Sequence, residues 1–210
     1  MNQFSQKQWQ EYIANTQSQP PHETCQIAVQ QLINSPQFKK QILNAVDLGC
    51  GAGRDLRFIN ECGFKVFGVD SNAEILEVSK SFLTQTNDIS IQVVKMENYF
   101  WPEEPVHLIN ASASLPFIQP KDFTDFWFRL NQKLEIGGLF SGHLFGTNDS
   151  WCGKKDFTFF NKEQILELFN NYEWIHFKES EYDGPSGSEP NKHWHRFDLV
   201  AKKINPKSTI

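Results

Sequence analysis

Apolar positions change their spacing several times along this chain, and each change predicts a different element. Near the start, Trp9, Tyr12 and Ile13 fall on one helical face behind a Ser5/Gln8 capping pattern, which predicts a short amphipathic helix. After the polar break at 15–23, Cys25, Ala28, Val29 and Leu32 recur at helical spacing until Ser35-Pro36 ends the run. From residue 42 strand-like and helical patterns alternate. Strands are predicted at 45–48, 64–69, 89–95, 106–111 and 139–145. Between them lie a helix at 53–62 closed by Gly63, one behind a Ser71/Glu74 capping pair carrying Ile75, Leu76, Phe82 and Leu83, and one at 121–134. Gly137-Gly138 punctuates before the fifth strand. The tail differs: a helix near 162–171, a strand at 173–180, a turn-rich loop at 183–192 and a strand at 193–203 read as a hairpin added to the sheet.

Strands separated by helices imply βαβ units, hence a three-layer α/β/α arrangement around a mainly parallel sheet. With the two hairpin strands the sheet has seven, the last pair antiparallel. We expect a helical cap over residues 1–38, an α/β domain over 39–204 and a frayed tail at 205–210.

Composition narrows the function. At 210 residues and 24.3 kDa the chain suits one domain, and 19 phenylalanines predict an aromatic-rich interior. A net charge of −5 and a pI near 5.7 argue against a basic footprint for nucleic acid, so a small or polar non-nucleic partner is expected. The N-terminus lacks a signal-peptide core and no apolar run approaches the roughly 20 residues that span a bilayer, so a cytoplasmic location without membrane contact is expected. Cysteines 25, 50, 62 and 152 form no CxxC pair, which predicts reduced thiols and no metal site.

The candidate chemistry sits in 45-AVDLGCGAGRDL-56 and in 66-VFGVD-70. Ligands of open α/β sheets lie beyond the carboxyl ends of the strands, where Gly49, Gly51 and Gly53 would let backbone amides approach. Asp70 closes the next strand, where a carboxylate can accept hydrogen bonds from ribose hydroxyls, so a ribose-containing cofactor is implied; the plain alternative is a helix N-cap. A dinucleotide fingerprint would need glycine where Arg54 stands, and no GK[ST] follows to make a P-loop.

These residues resemble the class I S-adenosylmethionine-dependent methyltransferases, whose first motif is an acidic residue, one residue, then GxGxG. Asp47, Gly49, Gly51 and Gly53 match that motif and Asp70 matches the acid ending the second strand, over a likeness spanning roughly residues 40–203. The resemblance implies a Rossmann-like fold and S-adenosyl-L-methionine as cofactor. By its analogy the methionine half lies against Asp47, Gly49, Cys50, Gly51 and Gly53, and the ribose against Asp70 and Ser71; Arg54, opening the next helix, is a candidate to pair with the cofactor carboxylate or an anionic acceptor, with a bridge to Asp55 or a surface position as the plain alternatives. Met96 and Glu97 would frame the adenine, although Lys95 or Met96 stands where relatives often carry aspartate, and Asn110 and Ala111 would meet the amino group. The words 110-NASASLPF-117, 145-FGTNDSW-151 and 192-KHWH-195 are similar to the group of tellurite-resistance methyltransferases and their small-molecule relatives.

On the acceptor side, Asn110-Ala111-Ser112-Ala113 departs from the Asn/Asp-Pro-Pro-aromatic tetrad of enzymes that methylate exocyclic amines of bases. Candidate pocket walls are Trp9, Tyr12, Ser114, Phe117 and Trp151, with packing as the plain alternative for each aromatic. No catalytic base is assigned; His143 and His195 are the candidates if the acceptor must lose a proton, and satisfied structural histidines are the default. The expected activity is methyl transfer to a small molecule by in-line displacement. A cofactor-binding regulator without turnover and a nucleotide-dependent oxidoreductase are the alternatives.

Overall fold

The computed structural model describes residues 15, 16, 18–77, 79, 88–186 and 190–205. The helix expected around Trp9 and Tyr12, and the stretch carrying Phe82 and Leu83, lie outside the described residues. Helix α1 spans Glu23–Ile33 and is followed by a single 3-10 turn at Pro36–Phe38. Strand β1 (Asn44–Leu48), helix α2 (Arg54–Glu61), strand β2 (Lys65–Asp70) and strand β3 (Ile89–Val93) come next. Then follow strand β4 (Val106–Ala111), helix α3 (Pro120–Lys133), the long strand β5 (Leu134–Gly146) and a two-residue strand β6 (Phe159–Phe160). Helix α4 (Lys162–Leu168) precedes the closing hairpin of β7 (Tyr172–Gly184) and β8 (Lys192–Lys203).

The strands form one sheet in the order β3-β2-β1-β4-β5-β8-β7, with β6 beside β5. Pairing is parallel from β3 to β5, and β8 runs antiparallel to both β5 and β7. The seven expected strands are present, and β6 is an eighth. Two features escaped the sequence reading. Strand β5 begins at Leu134, so Gly137-Gly138 lies within it; the register slips between Val106 and Leu108 of the partner strand, where an irregular ladder absorbs the glycines. Strand β6 is too short to show a two-residue period.

Two apolar layers flank the sheet. On one face Phe123, Phe126, Trp127 and Leu130 of α3 pack with Phe140, Phe169 and Phe197. On the other, Cys25, Ala28, Val29 and Leu32 of α1 and Leu56 and Ile59 of α2 cover Ala45, Val66, Leu108 and Leu139. Each fully buried leucine or phenylalanine contributes roughly 1.5–3 kcal/mol relative to exposure, so these layers fix which strand face receives α1 and α2. That assignment positions the site, because the order of strands reverses between β1 and β4 on the same face.

Candidate functional site

The chain leaves β1 through Gly49, Gly51 and Gly53, which all take left-handed backbone angles, with φ of 70°, 49° and 77°. A Cβ at Gly49 would lie 2.4 Å from the Cβ of Ser114, so glycine is required there for the loop after β1 to pass the loop after β4. The amides of Gly49 and Cys50 both donate to the Val69 carbonyl, at 2.7 and 3.0 Å. The amide of Gly51 donates to Asp70 Oδ2 at 2.9 Å, and the amide of Asn72 donates to Asp70 Oδ1 at 2.9 Å. Burial pushes the Asp70 carboxyl up from its ordinary value, and the amides of Asn72, Gly51 and Ser71 oppose that rise. Glycine loop and ribose candidate are thus one hydrogen-bonded unit.

Three strands place polar side chains side by side beneath this loop: Asp47 of β1 is in register with Asn110 of β4, and Asn110 with Ser141 of β5. Asn110 Nδ2 donates to Asp47 Oδ1 at 2.8 Å and to Asp55 Oδ2 at 3.1 Å, while its Oδ1 accepts from Ser141 at 2.7 Å and Ser112 at 3.2 Å. Asp47 and Asp55 are both buried. Asp55 also accepts from the His22 amide and pairs with His22 Nδ1, each at 2.9 Å. Asp47 Oδ2 has no hydrogen-bond partner among the described residues.

The cleft above is lined by Thr16, His22, Asp47, the loop 49–52, Arg54, Asp55 and Ser112. Arg54 donates to Gln19 Oε1 at 2.9 Å and meets the His22 ring. The cleft therefore brings together, of the candidates read from sequence, Asp47, Gly49, Cys50, Gly51 and Arg54, with Gly53 and Asp70 bonded to the same loop. His22 and Asp55 were missed. Asp55 lay inside the quoted motif, but the partners that give these residues a role are 33 and 55 positions apart in sequence.

The remaining candidates fall elsewhere. Met96 and Glu97 open a 3-10 turn after β3, where Met96 packs on the core and the Glu97 carbonyl accepts from Arg129. Ala111 is buried at the end of β4. Ser114 is buried against Gly49, and its Oγ has no partner among the described residues. Phe117 and Trp151 join Phe145, Phe157, Phe159 and Trp194 in one aromatic cluster at the carboxyl end of β5. Trp151 is only 3% exposed and stacks on Phe157. Trp9 and Tyr12 lie outside the described residues.

The two histidines part company. His143 Nδ1 accepts from the Ala113 amide at 3.0 Å, which holds Ala113 at φ 53°, and Nε2 lies 3.4 Å from Thr24 Oγ1. Burial pushes His143 well below the ordinary imidazole range, with the charges of His22 and Arg196 acting in the same sense, so it stays neutral. Its edge meets the His22 ring at 5.1 Å, in the wall of the cleft. His195, on the opposite sheet face, packs against Gly146, where a Cβ would lie 2.1 Å from its Nδ1. It accepts from the Asn148 amide at 3.0 Å and contacts Glu179 at 3.2 Å. No group of three or more metal-ligating side chains is present among the described residues.

A reversal of strand order over a glycine loop, with an acid near the end of the first strand and another ending the second, fits a class I methyltransferase fold. Residues 45–138 match the family described as a methyltransferase domain. Solved structures agree on the fold. TehB from Haemophilus influenzae superposes with a TM-score of 0.65 at 15% identity, over 80% of this chain, which spans 60% of that protein. The 1,6-didemethyltoxoflavin-N1-methyltransferase of Burkholderia thailandensis, with 1,6-didemethyltoxoflavin and S-adenosylhomocysteine bound, gives 0.64 at 13% identity, covering 95% and 85% of the two chains. An rRNA methylase from Streptococcus thermophilus gives 0.55 at 16% identity, covering 90% and 98%. No curated protein sequence matches the chain significantly.

Proposed function

We propose that this protein transfers a methyl group from S-adenosylmethionine to a small-molecule acceptor, with its cleft above the glycine loop as the donor site. One observation carries the reading: Asp47 lines the cleft and has a buried carboxylate oxygen with no partner among the described residues, while Asp70, bonded to the same glycine loop, is already oriented by two backbone amides. A buried acceptor without a partner is costly, and a donor with a positively charged amino-acid end supplies what is missing. In this reading Asp47 faces the amino end, the amides of 49–53 lie along the methionine half, Arg54 faces the carboxylate and Asp70 takes the ribose hydroxyls. The bound donor supplies an electrophilic methyl group. The protein orients the acceptor and keeps water away.

A small acceptor fits the chain's charge, since −5 overall offers a poor footprint for phosphates. The rRNA methylase likeness favours a second reading, a nucleic-acid acceptor, which the same charge opposes. The loops after β4 and β5 would wall the acceptor side, with Ser114, Phe117 and Trp151 in it, and residues 1–38 would act as its cap. A cytoplasmic setting belongs to the proposal, in keeping with four free cysteines. No helix among the described residues is long and apolar enough to cross a membrane.

Titration calorimetry with S-adenosylhomocysteine tests the donor site. Wild type binds, and Asp70→Ala weakens binding by about 10–100-fold, the loss of one or two charge-assisted hydrogen bonds. Unchanged affinity in the variant removes the ribose assignment, and an acceptor screen that releases no S-adenosylhomocysteine despite binding removes the enzymatic reading in favour of a regulator.

A further inference from the structure

The donor site holds more acid than a simple amine contact needs. Asp47 and Asp55 are both buried, share a single amide group of Asn110, and line the same cleft. Asp55 has hydrogen-bond partners in the His22 amide, the His22 ring and Asn110, whereas Asp47, which lines the same cleft, has an Oδ2 with no partner among the described residues. We propose that Asp47 and Asp55, bridged by Asn110, form a one-proton pair that binds the ammonium of the donor's amino-acid end by exchanging the Asp47 proton for it. The inference rests on the donor reading above and adds Asp55, Asn110 and His22 to that site.

The physical case is electrostatic. Two neighbouring buried carboxylates do not both ionise cheaply, so the pair keeps a proton on the member with fewer donors. Burial and the charge of Asp55 push the Asp47 carboxyl up to about 8, whereas the His22 bonds hold Asp55 below the usual carboxylate range against its own burial. The other groups facing Asp47 do not alter this balance. From β2, Asp70 adds negative potential, and from α2, Arg54 subtracts from it while engaged by Gln19 and His22. The Cys50 thiol in the loop and the Cys25 thiol on α1 are pushed up, by burial first and then by these acids, and remain uncharged. From β5, His143 is neutral and its ring meets that of His22. An arriving ammonium replaces the proton charge for charge, and the proton leaves to the buffer.

Calorimetry of S-adenosylhomocysteine binding at pH 7 in buffers of differing ionisation enthalpy counts that proton. Wild type is expected to release about one proton per ligand, and its affinity to rise close to tenfold from pH 6 to pH 7, below the range where the ligand amine titrates. 5′-Methylthioadenosine, which has the nucleoside and sulfur but no amino-acid end, is expected to bind with no release. Asp47→Asn, checked for folding by its melting transition, is expected to bind S-adenosylhomocysteine with little release. Binding by wild type without proton release, or equal release with 5′-methylthioadenosine, overturns the exchange and leaves the donor site standing. If neither ligand binds wild type, the donor reading itself falls, and the inference with it.

Discussion

At the scale of single residues, burial of Asp47 has a consequence for the ligand-free protein. Its carboxyl stands at about 8, against 3.8 ordinarily, so between these values the folded chain holds a proton that the unfolded chain has lost. The contribution of this group to stability must then fall as pH rises from about 4 to about 8, and level off above, because its unfolded form binds less proton over that window. Asp55 has the opposite sign: its contribution is in place above its ordinary value and is lost only below about pH 4. Asp47→Asn should therefore flatten the decline of melting temperature of ligand-free protein between pH 5 and pH 8; thermal melts across that range check it, and a parallel decline in both proteins would show that Asp47 is not protonated there. The motif containing these acids was legible because it is local: strand, glycines and acid follow one another in sequence. The division of labour between Asp47 and Asp55 was not, since it depends on Asn110 and His22, which only the folded sheet and α1 bring alongside.

At the scale of elements, the words 145-FGTNDSW-151 and 192-KHWH-195 acquire a physical meaning that spacing did not supply. Lys192, at the start of β8, is fully buried; its ammonium bonds Asp149 in the loop after β5 and lies 3.8 Å over Trp194 and 4.5 Å over Trp151. Asp149 in turn accepts from the Trp151 amide at 2.9 Å and the His195 amide at 3.3 Å. The same loop reaches the segment after β4, where the Thr158 amide donates to the Pro116 carbonyl at 2.9 Å. One buried ion pair thus fastens the terminal hairpin to two loops at the carboxyl rim of the sheet. Removing one partner leaves a buried charge, so Lys192→Met should cost about 3–5 kcal/mol. Adding Asp149→Asn should return much of the loss. Urea unfolding of the single and double variants measures both, and equal destabilisation of the two would mean that packing rather than charge holds the rim. The hairpin itself was readable from two alternating runs about a turn-rich loop. Its interlock was not, because a lysine and an aspartate 43 positions apart read as surface charges until the aromatic walls are in place.

At the scale of the whole molecule, both apolar layers converge on the strand reversal between β1 and β4, while the ends that meet there carry unmet polar demand. Asp47 Oδ2 and Ser114 Oγ are buried without partners among the described residues, directly beneath and beside the glycine loop. Local deficits of this kind are retained where a ligand completes them, and they make the folded state less stable when the ligand is absent. Ligand binding and global stability are then linked through the folded state alone. At a free S-adenosylhomocysteine concentration of 100 times its dissociation constant, the stabilisation is about 2.7 kcal/mol. For a chain of this size each kcal/mol raises the melting temperature by about 2–4 °C, so a rise of about 5–10 °C is expected at saturation. Asp70→Ala should show a much smaller rise at the same ligand concentration, because its occupancy drops while its fold remains. A melting curve of wild type unmoved by saturating ligand would place S-adenosylhomocysteine outside this fold's binding repertoire, whatever the likeness of the loop that would hold it.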